Sequence, residues 1–141
     1  MQATLELGRQ VLAQQPFSRF LGAEITAFET GRAVLELPLR LELLQQNGFA
    51  HGGVLSYLAD NALTFAGGSV LGVSVVTSEF KINYLRPAVG ERLRVEASVL
   101  HAGRTQAVVR CEIVALRGEE HLLCAAAQGT ITLLAQPAPR G

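Results

Sequence analysis

The sequence predicts an α+β fold in which one antiparallel sheet wraps around a single long helix that is apolar on nearly every side. Two observations carry this. From residue 54 to residue 66 the chain reads VLSYLADNALTFA, and Val54, Leu55, Tyr57, Leu58, Ala59, Ala62, Leu63, Phe65 and Ala66 cover most of a helix circumference. A helix apolar all round is buried all round. Beyond it the period changes from 3.6 to 2. In LRVEASVL, Leu93, Val95, Ala97 and Val99 alternate with Arg94, Glu96 and Ser98; in AVVRCEIVAL, Val109, Cys111, Ile113 and Ala115 share one face. That is the alternation of half-buried strands.

The elements follow in order. Residues 2–15 form a short helix with Leu5, Val11 and Leu12 on one side, and Pro16 marks its end. GAEITAFETGRAVLELPL reads as two strands around a turn at Glu29-Thr30-Gly31, the second closed by Pro38. Residues 39–50 are a connection, Gly52-Gly53 leads into the helix, and Gly67-Gly68 is expected to end it. In VVTSEFKINYL, strict alternation places Thr77, Glu79, Lys81 and Asn83 on one face and Val76, Phe80, Ile82 and Tyr84 on the other. Turn signals at Pro87–Gly90, Ala102-Gly103 and Gly118-Glu119 separate the strands that follow. The last strand runs from about His121 to Leu134, and the tail AQPAPRG is expected to fray. About two strands thus precede the helix and about four follow it, in one domain spanning residues 1–141.

Composition narrows the function classes. The chain is 49% hydrophobic and 17% charged, enough apolar material for a core and too little charge for disorder. Twelve basic residues balance twelve acidic ones, so no electrostatic footprint for nucleic acid or an anionic membrane exists, and self-association is not opposed by repulsion. No apolar run approaches the roughly 20 residues of a membrane helix, and MQATLELGRQVLAQQP lacks the continuous apolar core of a signal peptide. A soluble, cytoplasmic protein is expected. Cys111 and Cys124 lie in apolar strand-like stretches and read as free, buried cysteines. Three scattered histidines offer no zinc spacing, so no metal is expected.

The few polar groups on the buried helix are informative. At 100° per residue, Gly53, Ser56, Asp60, Thr64 and Gly67 fall in one narrow sector. A solvated face is the bland alternative, but the stripe holds no Lys, Arg, Glu or Gln. Asp60 is then an acid on a mostly buried helix, costly unless paired or used. Gly52 and Gly53 stand at the helix entrance, where unpaired N–H groups and the helix dipole can stabilise a developing oxyanion. A carboxylate two turns further along is expected to sit across from that hole.

The segments QQNGFAHGGVLSYLAD and TSEFKINYLRPA resemble the PaaI-like (phenylacetic-acid-degradation type) acyl-CoA thioesterases of the hotdog superfamily. The likeness spans about residues 17–134. Its most specific part is His51-Gly52-Gly53 followed by Asp60, with a polar residue at the start of a later strand and Tyr-x-x-Pro behind it. The resemblance implies a hotdog fold of about six strands and an active site at the interface of a homodimer, often within a homotetramer. It implies a small-molecule acyl-coenzyme A substrate, no cofactor, and no nucleic-acid or membrane partner. By the same resemblance Asp60 is general base or nucleophile, the Gly52 N–H polarises the thioester carbonyl, and Thr77 matches a hydroxyl that holds the attacking water. His51 and an upstream amide help place the carbonyl. Relatives carry an Asn six residues before the His, where this chain has Gln45. Of Gln45, Gln46 and Asn47, Gln46 is taken as the catalytic amide.

Substrate contacts are further expected at Gly53, Asn47 and Ser56, with Arg86, Arg104 and Lys81 as candidates for the coenzyme A phosphates and Leu55, Leu58 and Leu63 for the acyl pocket. His101 and His121 read as surface residues. Two other readings use the same residues. A hotdog dehydratase pairs a His with an acid, as His51 and Asp60 allow, and a non-catalytic acyl-CoA sensor keeps the pocket alone.

Overall fold

Thr4 starts the first helix: its side-chain oxygen accepts the Leu7 N–H at 3.2 Å, capping α1 (Leu5–Ala13). In the computed structural model, which describes residues 2–135, Pro16 ends α1 and also begins another helix. It occupies the first turn of α2 (Pro16–Leu21), where its missing N–H costs nothing. Gly22, at φ +86°, closes α2 and turns the chain into the sheet. The tail from residue 136 lies outside the described residues.

Strands β1 (Glu24–Glu29) and β2 (Arg32–Pro38) form the expected hairpin, with Gly31 at φ +82° in the turn. That turn is pinned from below, because Gly31 N–H donates to Ser69 Oγ at 2.8 Å. After a short 3₁₀ turn at Leu41–Leu43 comes the central helix α3, Gly52–Leu71. It runs straight through Gly67-Gly68 and ends at Gly72, φ +127°. The reason is spatial. A Cβ on Gly67 would lie 2.6–2.8 Å from three atoms of Ile131, so that glycine is there for close approach to the sheet, not for termination.

Strands β3 (Val75–Tyr84), β4 (Arg92–Ala102), β5 (Gln106–Arg117) and β6 (Glu120–Leu133) complete one six-stranded antiparallel sheet in the order β1-β2-β4-β5-β6-β3. The sheet wraps around α3, whose Leu58, Ala59, Ala62, Leu63 and Ala66 are fully buried against Leu35, Val95, Ile113 and Ile131. Burying each large aliphatic side chain contributes about 1.5–3 kcal/mol, so this helix–sheet contact is a large stabilising term.

Strand β3 departs from strict alternation. Thr77 pairs with Ile131 but Glu79 with Thr130, so Ser78 is an extra residue in a bulge. The pleat is shifted there, and Val75 and Thr77 face inward together with Phe80 and Ile82, while Val76 is exposed. Thr77 therefore looks onto α3 rather than sharing an outer face with Glu79. At the sheet's end, β3 has a bonded neighbour on one side alone among the described residues.

Candidate active site

The entrance to α3 is built by a tight loop. Leu44 and Ala50 bridge, Gly48 sits at φ +87°, and His51 N–H donates to Leu43 O at 2.9 Å. His51 caps the helix: its Nδ1 accepts the Gly53 N–H at 2.8 Å. This bond fixes the tautomer with the proton on Nε2. A Cβ on Gly53 would lie 3.0 Å from that same Nδ1, so glycine lets the ring fold over the helix end. Among the described residues the Gly52 N–H has no partner, and it points from a helix N-terminus. Beside it Tyr84 OH donates to Gly52 O at 3.1 Å and lies 2.8 Å from Ser56 Oγ, tying the helix end to the end of β3.

Two turns along, Asp60 is half-buried. Its Oδ1 accepts from Thr77 Oγ1 at 2.5 Å, and Thr77 Oγ1 lies 2.9 Å from Thr64 Oγ1. Each hydroxyl has one proton. With Thr77 donating to the carboxylate, Thr64 can donate to Thr77, giving the chain Thr64→Thr77→Asp60, or to Asp60 O at 2.8 Å. Among the described residues no Lys, Arg or His forms an ion pair with Asp60, and its Oδ2 has no hydrogen-bond partner. A half-buried carboxylate without a countercharge is not a structural ion pair. It is held in place and left open on one oxygen.

The two halves are apart within one chain. Eight helical residues at about 1.5 Å each place the Gly52 N–H roughly 12 Å from Asp60 along the axis, too far to act on one carbonyl. The expected opposition of the two within a protomer is therefore corrected. Other expected residues divide as follows. Gln45, Gly52, Leu55, Tyr84 and Arg86 line one open pocket beside the helix entrance. Gln46 and Asn47 are solvent-exposed, and the Asn47 N–H is bonded to Gln45 Oε1. The amide on the pocket wall is thus Gln45, six residues before His51, because the turn at residues 45–48 throws the next two side chains outward. Arg104 stands in the β4–β5 turn, whose Thr105 O accepts from Leu133 N at 2.8 Å, beside the start of β3. That is the far end of the sheet from Gly52, which leaves Arg86 as the basic residue of this pocket. Leu58 and Leu63 are core, fully buried, and Leu55 alone of the three reaches the pocket.

Two participants were not among the expected site residues: Tyr84, visible in sequence only as part of Tyr-x-x-Pro, and Thr64, visible as a member of the helix stripe. Outside this face, Cys111 and Cys124 are free and buried. Burial pushes the Cys111 thiol up to about 12 and raises Cys124, so neither is a nucleophile near neutrality. His101 and His121 are exposed. Among the described residues no cluster of His, Cys, Asp and Glu is placed to hold a metal, and no helix is long and apolar enough to cross a membrane.

Comparison with known proteins identifies the family. A family model described as "Thioesterase superfamily" matches residues 47–121. Acyl-coenzyme A thioesterase PaaI of Escherichia coli is 33% identical over 124 residues, covering 82% of this chain and 85% of that protein. Medium/long-chain acyl-CoA thioesterase YigI of the same organism is 30% identical over 152 residues, covering 92% of each. Among solved structures, a thioesterase family protein from Silicibacter pomeroyi superposes with a TM-score of 0.86 at 37% identity, covering 90% of this chain and 96% of that one.

Proposed function

The chain belongs to the thioesterase superfamily, as a PaaI-like enzyme of the hotdog fold, and from that premise we propose that it hydrolyses acyl-coenzyme A thioesters with Asp60 as the general base. The observation that carries the reading is the Asp60 carboxylate. Among the described residues it has no countercation, it is fixed through Oδ1 by Thr77, and it keeps Oδ2 for a water molecule. Oδ2 takes a proton as that water attacks the thioester carbon. The carbonyl oxygen becomes an oxyanion met by a helix-terminal N–H, and collapse breaks the C–S bond. Coenzyme A leaves as thiolate, a good leaving group, and takes up the proton. The PaaI and YigI names supply the substrate class; Arg86 beside the Gly52 pocket suits its phosphates.

The 12 Å gap implies that the oxyanion donor comes from a second copy. Thr77 is level with Asp60 through its hydrogen bond, and Tyr84 is level with Gly52. The midpoint of β3 between residues 77 and 84 is therefore level with the α3 midpoint between 52 and 60. A two-fold axis through that point, with the free edge of β3 paired antiparallel to its copy, brings Asp60 of one protomer opposite the partner's Gly52. The functional unit is a homodimer, with its site made from both chains.

The test is thiol release by Asp60→Asn, with a thermal melt alongside. Asn keeps shape and a hydrogen bond to Thr77 but cannot take the proton. The expected result is a fall in kcat of at least about 10²-fold, KM little changed, and a melting temperature held or raised because a half-buried charge is gone. A destabilised but fully active variant refutes the role of Asp60.

A further inference from the structure

Two glycines open α3, and two peptide planes meet at the first of them, Gly52. Three of the four polar ends of those planes are bonded. His51 O accepts the Val54 N–H at 2.9 Å, the Gly53 N–H donates to His51 Nδ1 at 2.8 Å, and Gly52 O accepts from Tyr84 OH at 3.1 Å. The fourth end is the Gly52 N–H, which has no partner among the described residues. Glycine lacks the Cβ that restricts φ and ψ in other residues, so the direction of this N–H depends on the bonds made by the other three ends. Two of those bonds lie within the first turn itself. The third reaches in from another element.

Tyr84 is the last residue of β3 and is paired there with Ala125. The next residue is tied down as well, its Leu85 N–H donating to Cys124 O at 2.7 Å. The sheet therefore holds the base of the side chain, and a tyrosine has just two side-chain torsions to fix. The residue is 53% exposed, so its ring buries little apolar surface, and a phenylalanine would bury as much. What sets it apart is the hydroxyl, which lies 2.8 Å from Ser56 Oγ and gives its one proton to Gly52 O. Ser56 is then the donor of the other bond, and the chain reads Ser56→Tyr84→Gly52. Each bond in such a chain polarises and strengthens the next. None of the three residues is buried, so the arrangement does not serve to satisfy a polar group shut off from water.

We infer that Tyr84, with Ser56 behind it, is a positioning residue: its hydroxyl holds the first peptide planes of α3 so that the Gly52 N–H is aimed at the carbonyl oxygen of the thioester. The inference rests on the oxyanion role proposed for Gly52 and deepens it. A donor of this kind works because it is oriented before charge develops on the oxygen, and a misplacement of about 1 Å costs on the order of 10²-fold in rate. Loss of the Tyr84 anchor, with the two bonds inside the turn still made, displaces the N–H by less than that.

The experiment compares wild type, Tyr84→Phe, Ser56→Ala and the double variant by thiol release from acetyl-, hexanoyl-, phenylacetyl- and palmitoyl-CoA, with a thermal melt of each. Tyr84→Phe keeps the ring that lines the pocket beside Gly52 and removes the hydroxyl alone. On whichever of the four the wild type cleaves best, Tyr84→Phe is expected to lose about tenfold in kcat while KM stays within about twofold. Its melting temperature should be little changed. Ser56→Ala should lose less, because Tyr84 keeps its bond to Gly52 O. The double variant should be no slower than Tyr84→Phe, since the serine acts through the tyrosine. Wild-type kcat in Tyr84→Phe, with or without a lowered melting temperature, overturns the inference and leaves the thioesterase reading standing. A loss confined to KM does the same, because the hydroxyl then contacts bound substrate. Losses that multiply in the double variant give the two residues separate roles and also overturn it. A wild type that cleaves none of the four sinks the thioesterase reading, and this inference with it.

Discussion

Thr77 shows how much one hydroxyl decides at this site. Its Oγ1 is the donor held at 2.5 Å from Asp60 Oδ1 and also meets Thr64. Val is nearly the same shape without the donor, so Thr77→Val should leave the fold intact while freeing the carboxylate to rotate. We expect kcat to fall by about tenfold or more, by analogy with loss of other groups that orient a catalytic base, and Thr77→Ser to restore most of it. Steady-state kinetics with both variants checks this; full activity in Thr77→Val removes the hydroxyl from the mechanism. His51 acts differently. It uses Nδ1 to accept the Gly53 N–H and cap α3, so the imidazole holds the helix end that carries the Gly52 N–H.

At the scale of the element, α3 is shaped by what its glycines allow. Alanine in a helix interior is favoured over glycine by about 1 kcal/mol, so propensity alone predicts that Gly67→Ala stabilises. The Ile131 side chain at 2.6–2.8 Å from the new Cβ argues the reverse, since overpacking a closed core typically costs about 1–3 kcal/mol. The clash lies against the branch of a buried side chain in mid-strand, which has nowhere to go. Gly67→Ala is therefore expected to lower the melting temperature, by thermal denaturation followed by circular dichroism; a rise would mean that helix and sheet can separate at little cost. Gly68, one residue on, has Val75 at 3.4 Å and should tolerate alanine. Strand β3 makes a parallel point. The bulge at Ser78 turns Thr77 toward Asp60 while Phe80 and Ile82 still reach the core.

For the whole molecule, the proposed dimer accounts for both the edge position of β3 and the separation of Gly52 from Asp60. The protomer is 15.1 kDa, so light scattering is expected to give about twice that mass or a larger even multiple. A sharper test mixes two inactive proteins. Gly52→Val should crowd the proposed oxyanion position, its Cβ 3.5 Å from the Tyr84 ring, and Asp60→Asn should remove the proposed base. If each site takes Asp60 from one chain and Gly52 from the other, a heterodimer of the two variants has one doubly damaged site and one intact site. Refolding an equal mixture should recover about a quarter of wild-type activity, because random pairing makes half of the dimers hybrid and each hybrid keeps half its sites. No recovery, with hybrids demonstrated, places both groups in one chain.

Periodicity by itself determined a good deal. The all-round apolar run from Val54 to Ala66 announced a helix inside a sheet, alternation located the strands, and Asp60 stood out as an acid on a face without Lys, Arg, Glu or Gln. Those are local properties, readable because side-chain direction repeats at fixed periods within an element. What the tertiary structure decided depended on distances between elements. Gly67-Gly68 reads as a stop by its sequence, and the Ile131 side chain packed against Gly67 gives the pair a different reason. Alternation misassigned the face of Thr77 because one inserted residue shifts the pleat, and a strand's sequence does not mark where its partner lacks a match. The amide at Gln45 rather than Gln46 was set by a turn closed through backbone bonds at Phe49 and Ala50. Arg104 lies in the turn beside the start of β3, at the opposite end of that strand from its own chain's Gly52, a placement set by how the strands pair. Only the folded chain showed that Gly52 and Asp60 are separated by two helical turns, since a rise of about 1.5 Å per residue keeps groups on one stripe aligned but apart.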